Sequence, residues 1–167
     1  MATPTALPAT FVASTVLPAA DLNLLRGAFR VLQVVQGVTS TGVTNSTTTV
    51  ADTGLTATIT PQYNTSKILV LVSQAGCEKT PTNSQSAINL YLYRGASLIQ
   101  QFGYAGLYTN TTLESIGNIS TVYLDSPATT SSTTYKTQFA NLVAASLVAV
   151  QVNSVPQSTI TLMEISA

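Results

Sequence analysis

The sequence predicts an all-β fold: a jelly-roll-like β-sandwich of about nine or ten short strands, preceded by an extended N-terminal arm and one short helix. Three observations predict it. First, apolar and polar residues alternate with a period of two. Ile88, Leu90 and Leu92 fall on one side of a strand, and Asn89, Tyr91 and Tyr93 on the other. Second, clusters of Gly, Pro, Asn and Ser punctuate the chain about every 8–12 residues, the spacing of short antiparallel strands. Third, the one helical pattern stands at the front and is not interleaved with strands, which excludes a doubly wound α/β sheet.

Residues 1 to 20 carry no charge and contain Pro4, Pro8 and Pro18. Proline fixes φ and pushes its predecessor towards extended backbone. Leu7, Phe11, Val12, Val16 and Leu17 lie between the prolines. A solvated tail is polar and charged, so this segment reads as an anchoring arm that docks its apolar side chains on another protein; a disordered terminus is the competing reading. Asp21 suits a helix N-cap, and Leu22, Leu25 and Phe29 recur at helical spacing, giving a candidate oligomerisation helix that ends near Arg30. Gly27 weakens that helix by about 1 kcal/mol relative to Ala. The chain thus divides into residues 1–30, for anchoring and oligomerisation, and residues 31–167, the sandwich.

Val31 to Val35 is strand-like. Residues 39 to 60 hold ten threonines, with a turn expected at Asp52-Thr53-Gly54 and a strand from Leu55 to Thr60 that Pro61 ends. Lys67 to Ser73 is a continuous apolar run, which reads as a central strand covered on both sides. Gln74 to Ser86 reads as a long loop. A hairpin follows, with Gly95 supplying the positive φ of its tight turn. Gly103 to Asn118 reads as irregular. Ile119 to Asp125, Thr134 to Ala140, Leu147 to Val152 and Ser158 to Ile165 read as the closing strands.

Six basic and six acidic residues give zero net charge. Lys67, Lys79, Lys136, Arg26, Arg30 and Arg94 are scattered, so no basic patch offers itself to a phosphate backbone, and no nucleic-acid partner is expected. So few charges fit either a surface covered by sister subunits or a neutral surface solvated by Ser, Thr, Asn and Gln. No apolar run approaches the roughly 20 residues that span a bilayer, and the N-terminus lacks the pattern of a secretory signal, so no membrane insertion is expected.

With no His and a single Cys, the chain has neither the material for a zinc site nor a Ser-His-Asp triad. Nothing in the spacing of Asp21, Asp52, Glu78, Glu114, Asp125 and Glu164 selects a glycosidase pair. No catalytic residue, metal or cofactor is expected, and the protein reads as not an enzyme. Glu164 lies between Met163 and Ile165 in an apolar strand, where a charge is costly unless paired. Arg94 is its candidate partner, with a solvated edge position as the alternative. Tyr104 and Tyr108, in the irregular stretch after the hairpin, are the candidates for an exposed receptor loop, since tyrosine offers rigid contact area with a polar tip. Tyr91 and Tyr93 read instead as a packed or intersubunit surface.

Several segments, in order, resemble a family of small tailed-bacteriophage virion proteins. They are Val31-Leu32-Gln33-Val34-Val35-Gln36, Asp52-Thr53-Gly54-Leu55 through Ile59-Thr60-Pro61, Ser66-Lys67-Ile68-Leu69-Val70, Leu92-Tyr93-Arg94-Gly95, Leu124-Asp125-Ser126-Pro127-Ala128-Thr129-Thr130, Thr134-Tyr135-Lys136 and Ser158-Thr159-Ile160-Thr161-Leu162-Met163-Glu164-Ile165. The resemblance covers roughly residues 31 to 167. It implies a trimeric jelly-roll domain displayed on a phage particle. The expected function is therefore that of a virion structural protein: a short tail-fibre or baseplate-attached homotrimer that binds host surface glycan, held to other virion proteins by its arm. The alternative is a capsid cement or decoration protein stabilising the head, and a remote alternative is a glycan-degrading enzyme. The expected localisation is the virion, assembled in the host cytoplasm and displayed on the particle surface.

Overall fold

A computed structural model describes residues 31–144 and 146–166. The arm residues Leu7, Phe11, Val12, Val16 and Leu17 and the helix residues Leu22, Leu25 and Phe29 lie outside the described residues. Ten strands follow one another: β1 (Val31–Thr39), β2 (Val43–Asn45), β3 (Ala51–Ile59), β4 (Lys67–Lys79), β5 (Ile88–Arg94), β6 (Ser97–Gly106), β7 (Ser115–Asp125), β8 (Thr133–Asn141), β9 (Val148–Val150) and β10 (Ser158–Ile165). The only helical turn among the described residues is a 3-10 turn at Val152–Ser154.

All pairings are antiparallel. Setting aside the three-residue strands β2 and β9, sheet A runs β1-β10-β4-β7 and sheet B runs β3-β8-β5-β6. Two four-stranded sheets in these orders are the double Greek key of a jelly roll. β2 and β9 extend sheet A beside the far end of β4.

The alternation in the sequence settles which side chains enter. Ile88, Leu90 and Leu92 are fully buried, while Tyr91 and Tyr93 are half-buried on the outer side of sheet B. Leu55, Ala57 and Ile59 of β3 point inward, and the intervening Thr56 and Thr58 are exposed. The hairpin turns at Gly95-Ala96, with φ +57 at Gly95 and a negative φ at Ala96, the pattern of a II′ turn.

The core is two apolar clusters with a polar seam between them. One contains Ile68, Val70, Val72, Leu92, Tyr135, Ile160 and Leu162. The other contains Cys77, Ile88, Leu90, Phe139, Val148 and Val150. In the seam, Thr137 Oγ1 of sheet B donates to Gln74 Oε1 of sheet A at 2.9 Å, and Thr137 also shares a 2.5 Å hydroxyl contact with Thr53. Gln74 Nε2 in turn donates to Ser158 Oγ at 3.1 Å. These groups are buried and partnered, so the seam avoids the cost of an unsatisfied buried polar atom and fixes the offset of one sheet on the other.

Three expectations need correction. Asp52-Thr53-Gly54 is not a turn: Gly54 (φ +82) makes a bulge inside β3, where the pairing with β8 shifts between Asp52 and Thr56. Gln74 to Ser86 is not all loop: β4 continues to Lys79 through a second bulge at Gly76 (φ +56). Glycine in a strand is equally the signature of a bulge, and in both places the ladder resumes beyond it. Likewise Gly103 to Asn118 is irregular only from 107 to 114, because β6 reaches Gly106 and β7 starts at Ser115.

A fourth correction concerns the apolar run Lys67 to Ser73. It is central, with β10 on one side and β7 on the other. Within the chain only one of its faces is covered. Ile68, Val70 and Val72 are buried, whereas Leu69 and Leu71 on the opposite face are part-exposed.

Candidate binding surface

The register defines two ends of the sandwich. At one end, Val31 pairs with Ile165, Ile165 with Lys67, and Ile68 with Asp125. The Gly95 turn lies at the same end, because Arg94 there binds Asp125. At the other end, Glu78 pairs with Ile116 and with Ala149, and Ile88 pairs with Gly106 and Asn141. The 13 residues of β4 separate the two by about 40 Å at the rise of an extended strand. Val31, which the first thirty residues enter, and the loops at 80–87 and 107–114 are therefore on opposite ends.

The first end is a cross-sheet clamp. Arg94 Nη1 donates to both oxygens of Asp125, at 3.0 and 2.8 Å, and Tyr135 Oη donates to Asp125 Oδ2 at 2.7 Å. Burial, and then the Asp125 carboxylate beside it, push the Tyr135 hydroxyl well above its ordinary value. Arg94 thus belongs to Asp125 and not to Glu164. Glu164 is neither paired with an arginine nor at a solvated edge: it is fully buried. Its carboxylate accepts from Gln33 Nε2 at 2.6 Å and from the Gln62 N–H at 2.7 Å. Burial pushes this carboxyl up, but the Gln33 amide and nearby backbone N–H groups outweigh it and hold the group below its ordinary value. The reason the expected pair fails is topological: Arg94 closes β5 in sheet B, while Glu164 lies in β10 beside β1 and the turn after β3.

The opposite end is built around Lys79, the last residue of β4. Its side chain is fully buried, and Nζ donates to Thr109 Oγ1 and to the Thr111 carbonyl, both at 2.6 Å. A charge-assisted donor of this kind pins the loop to the sheet. Ala105, Leu107 and Asn110 all have positive φ, at 50°, 61° and 53°. Such conformations are unfavourable for non-glycine residues and persist when the surroundings enforce them. Asn89 Oδ1 enforces the first by accepting from the Ala105 N–H at 2.9 Å. So the loop after β6 is held by Asn89 from the hairpin and by Lys79 from the central strand.

Tyr104 and Tyr108 do come together with this end. Tyr104, on edge strand β6, is 75% exposed, and Tyr108 is 43% exposed. Tyr108 Oη lies 3.1 Å from both Gln85 Oε1 and Asn110 Oδ1. Gln85 Nε2 also donates to Asn110 Oδ1 at 3.1 Å, so the two amides and the phenol hold one another in place. Leu113 is 68% exposed on the same loop. Tyr108, Gln85 and Asn110 thus form a small polar cluster at this end, where Tyr104 and Leu113 are also exposed.

Sequence reasoning did not find Lys79, Gln85 or Asn110. Lys79 fell within a stretch read as loop, and the other two acquire meaning only when the loops at 80–87 and 107–114 meet. It also missed the contact between Glu78 and Glu114. Burial, and then the neighbouring Glu114 charge, raise the Glu78 carboxyl above its ordinary value. Among the described residues, no three His, Cys, Asp or Glu side chains gather as they would around a metal ion. No protein-family model matches the chain, and no curated protein matches it.

Proposed function

We propose that this chain is a virion structural protein, a trimeric appendage of the short tail-fibre or baseplate type that presents its far end to host surface glycan. The observation that carries the reading is the opposition of the two ends. Residues 1–30 lead into β1 at the Arg94 end, while the cluster of Tyr108, Gln85 and Asn110, with exposed Tyr104 on β6, lies at the other. An arm that anchors at one end displays the patch at the other. The resemblance of residues 31 to 167 to phage virion proteins points the same way. Aromatic rings flanked by amides and hydroxyls suit a neutral sugar.

The cations of the described residues favour this over a nucleic-acid partner. Arg94 and Lys136 are paired with Asp125 and Asp52, Lys79 is buried, and Lys67 donates to Ser126 at 2.6 Å. No cluster of lysine or arginine is left to track phosphates.

A second reading, a capsid cement protein, draws on the exposed apolar side chains of sheet A, which suit docking on a protein lattice. Imaging of particles labelled on this protein separates the two: tail-restricted label supports the appendage, and head-wide label removes it. Glycan-array binding by the full chain tests the receptor role. Tyr104→Ala with Tyr108→Ala is expected to abolish binding, and an array that stays blank with the unaltered chain removes that role.

A further inference from the structure

We infer that the outer face of sheet A is the surface through which copies of this chain associate. The inference rests on the proposed trimer and adds where its subunits meet. It begins from cross-strand register. Val34 of β1 pairs with Met163 of β10, Met163 with Leu69 of β4, and Leu69 with Leu124 of β7. Partners across a ladder lie on the same side of the sheet, so these four side chains form one apolar row across all four strands. In the next row, Gln36, Thr161, Leu71 and Val122 are aligned in the same way. Val34, Leu124 and Val122 are 55%, 55% and 63% exposed.

An antiparallel sheet with one face in water normally alternates apolar inside with polar outside. β4 breaks that rule with Ile68, Leu69, Val70, Leu71 and Val72 in succession. Such continuous runs belong to strands covered on both faces. Sheet B covers the inner face, and no described residue covers the outer one at these rows.

Size and charge favour a second copy as the cover. Four strands at their usual spacing, with lengths of 8 to 13 residues, give a flat face of roughly 500–600 Å². That is below the ~800 Å² that each partner contributes to a standard stable interface, so the association must also draw on residues at the rim of the face. The outward rows contain only two charged side chains, Lys67 and Glu78, which stand at opposite ends of β4. The face between them is uncharged and therefore compatible with its own copy. A chain of zero net charge adds no long-range repulsion between subunits.

The test is the mass of the full chain in solution by sedimentation equilibrium. The unaltered chain is expected at three times 17.4 kDa. Leu124→Lys, and independently Val34→Lys, are expected to sediment as single chains with unchanged near-ultraviolet circular dichroism. Thr58→Lys, on the exposed side of sheet B, is expected to keep the parent mass. Two results overturn the inference: an unaltered chain that is monomeric over the accessible concentration range, or an oligomer that persists in both lysine variants. A dimer dissociated by both variants keeps the interface and removes the three-fold. Failure of the virion reading registers in particle imaging and glycan binding, and leaves these masses unchanged.

Discussion

On the outside of sheet B, Thr58 and Thr134 share a 2.8 Å hydroxyl contact, and Asp52 is bound by Lys136 at 2.8 Å and by Gln138 at 2.7 Å. On the outside of sheet A, the row that crosses all four strands is Val34, Met163, Leu69 and Leu124. Both faces are built on strands of one sandwich and share one core. Sheet B ends in groups that water solvates well, and threonine achieves this there while keeping the β-branched shape that strands favour. Sheet A ends in side chains that water does not solvate. Under the proposed association, being outside the chain and being outside the assembly are separate conditions. Burial within one chain accounts for most of sheet B, with Leu98 and Tyr104 of β6 as exposed exceptions, and for sheet A only on its inner side.

The sharpest way to test this contrast is within sheet A, on its two faces. Leu162→Ala, on the inner face of β10, is expected to lower stability by about 2–5 kcal/mol, because it removes a fully buried side chain and leaves a cavity. Leu124→Ala on the outer face is expected to change the unfolding free energy of the dissociated chain by less than about 0.5 kcal/mol. Denaturant unfolding in the Val34→Lys background, with and without each substitution, measures both. Equal losses would collapse the distinction between the faces.

The next largest effect concerns the charge buried on the inner side of sheet A. Glu164→Ala leaves the Gln62 N–H without its acceptor and the Gln33 amide with only the Thr60 carbonyl, and is expected to cost about 1–3 kcal/mol. The pH dependence has a definite sign. The folded carboxyl titrates below its ordinary value near 4.5, so the unfolded chain binds the proton more readily. The contribution is complete above pH 4.5 or so and is lost as pH falls through the depressed folded value. Thermal unfolding between pH 7 and pH 3 should show the gap between parent and variant closing on acidification. A gap that widens would refute the assignment.

The bridge between the sheets gives a comparable loss. Arg94→Ala strands the buried Asp125, with an expected cost of about 1–3 kcal/mol. A double-mutant cycle of Arg94 with Glu164 should show no coupling, while the cycle of Arg94 with Asp125 should show a clear one. Smallest of all is Lys136→Ala on sheet B. Its hydrogen bond is the leading reason the Asp52 carboxyl sits below its ordinary value, but the pair is solvent-exposed. Its loss is expected to cost less than about 1 kcal/mol, and the difference should vanish in high salt.

Much of this molecule was legible from period alone. The inward sets Ile88, Leu90, Leu92 and Leu55, Ala57, Ile59 follow from alternation, and each pairs a buried residue with a polar neighbour that must face the other way. The glycines were harder. Gly54 and Gly76 carry positive φ in bulges, and the same residue serves a turn equally well. Only the partner strand decides between them, since the ladder either resumes or ends. In the candidate binding surface, the exposed tyrosines could be named from the sequence, but Lys79 could not. Its role depends on Thr109 and the Thr111 carbonyl, some thirty residues away.

By itself, the sequence determined that this chain is a β-sandwich, where its hairpin turns, and which side of most strands enters the core, because these depend on side-chain period and local backbone preference. Only the tertiary structure decided that Arg94 binds Asp125 and that Glu164 is held by Gln33. The reason is that which ends meet is set by strand order, to which local pattern is blind. The run at Lys67 to Ser73 lies between the two. Its composition predicts two covers, and the folded chain supplies one of them.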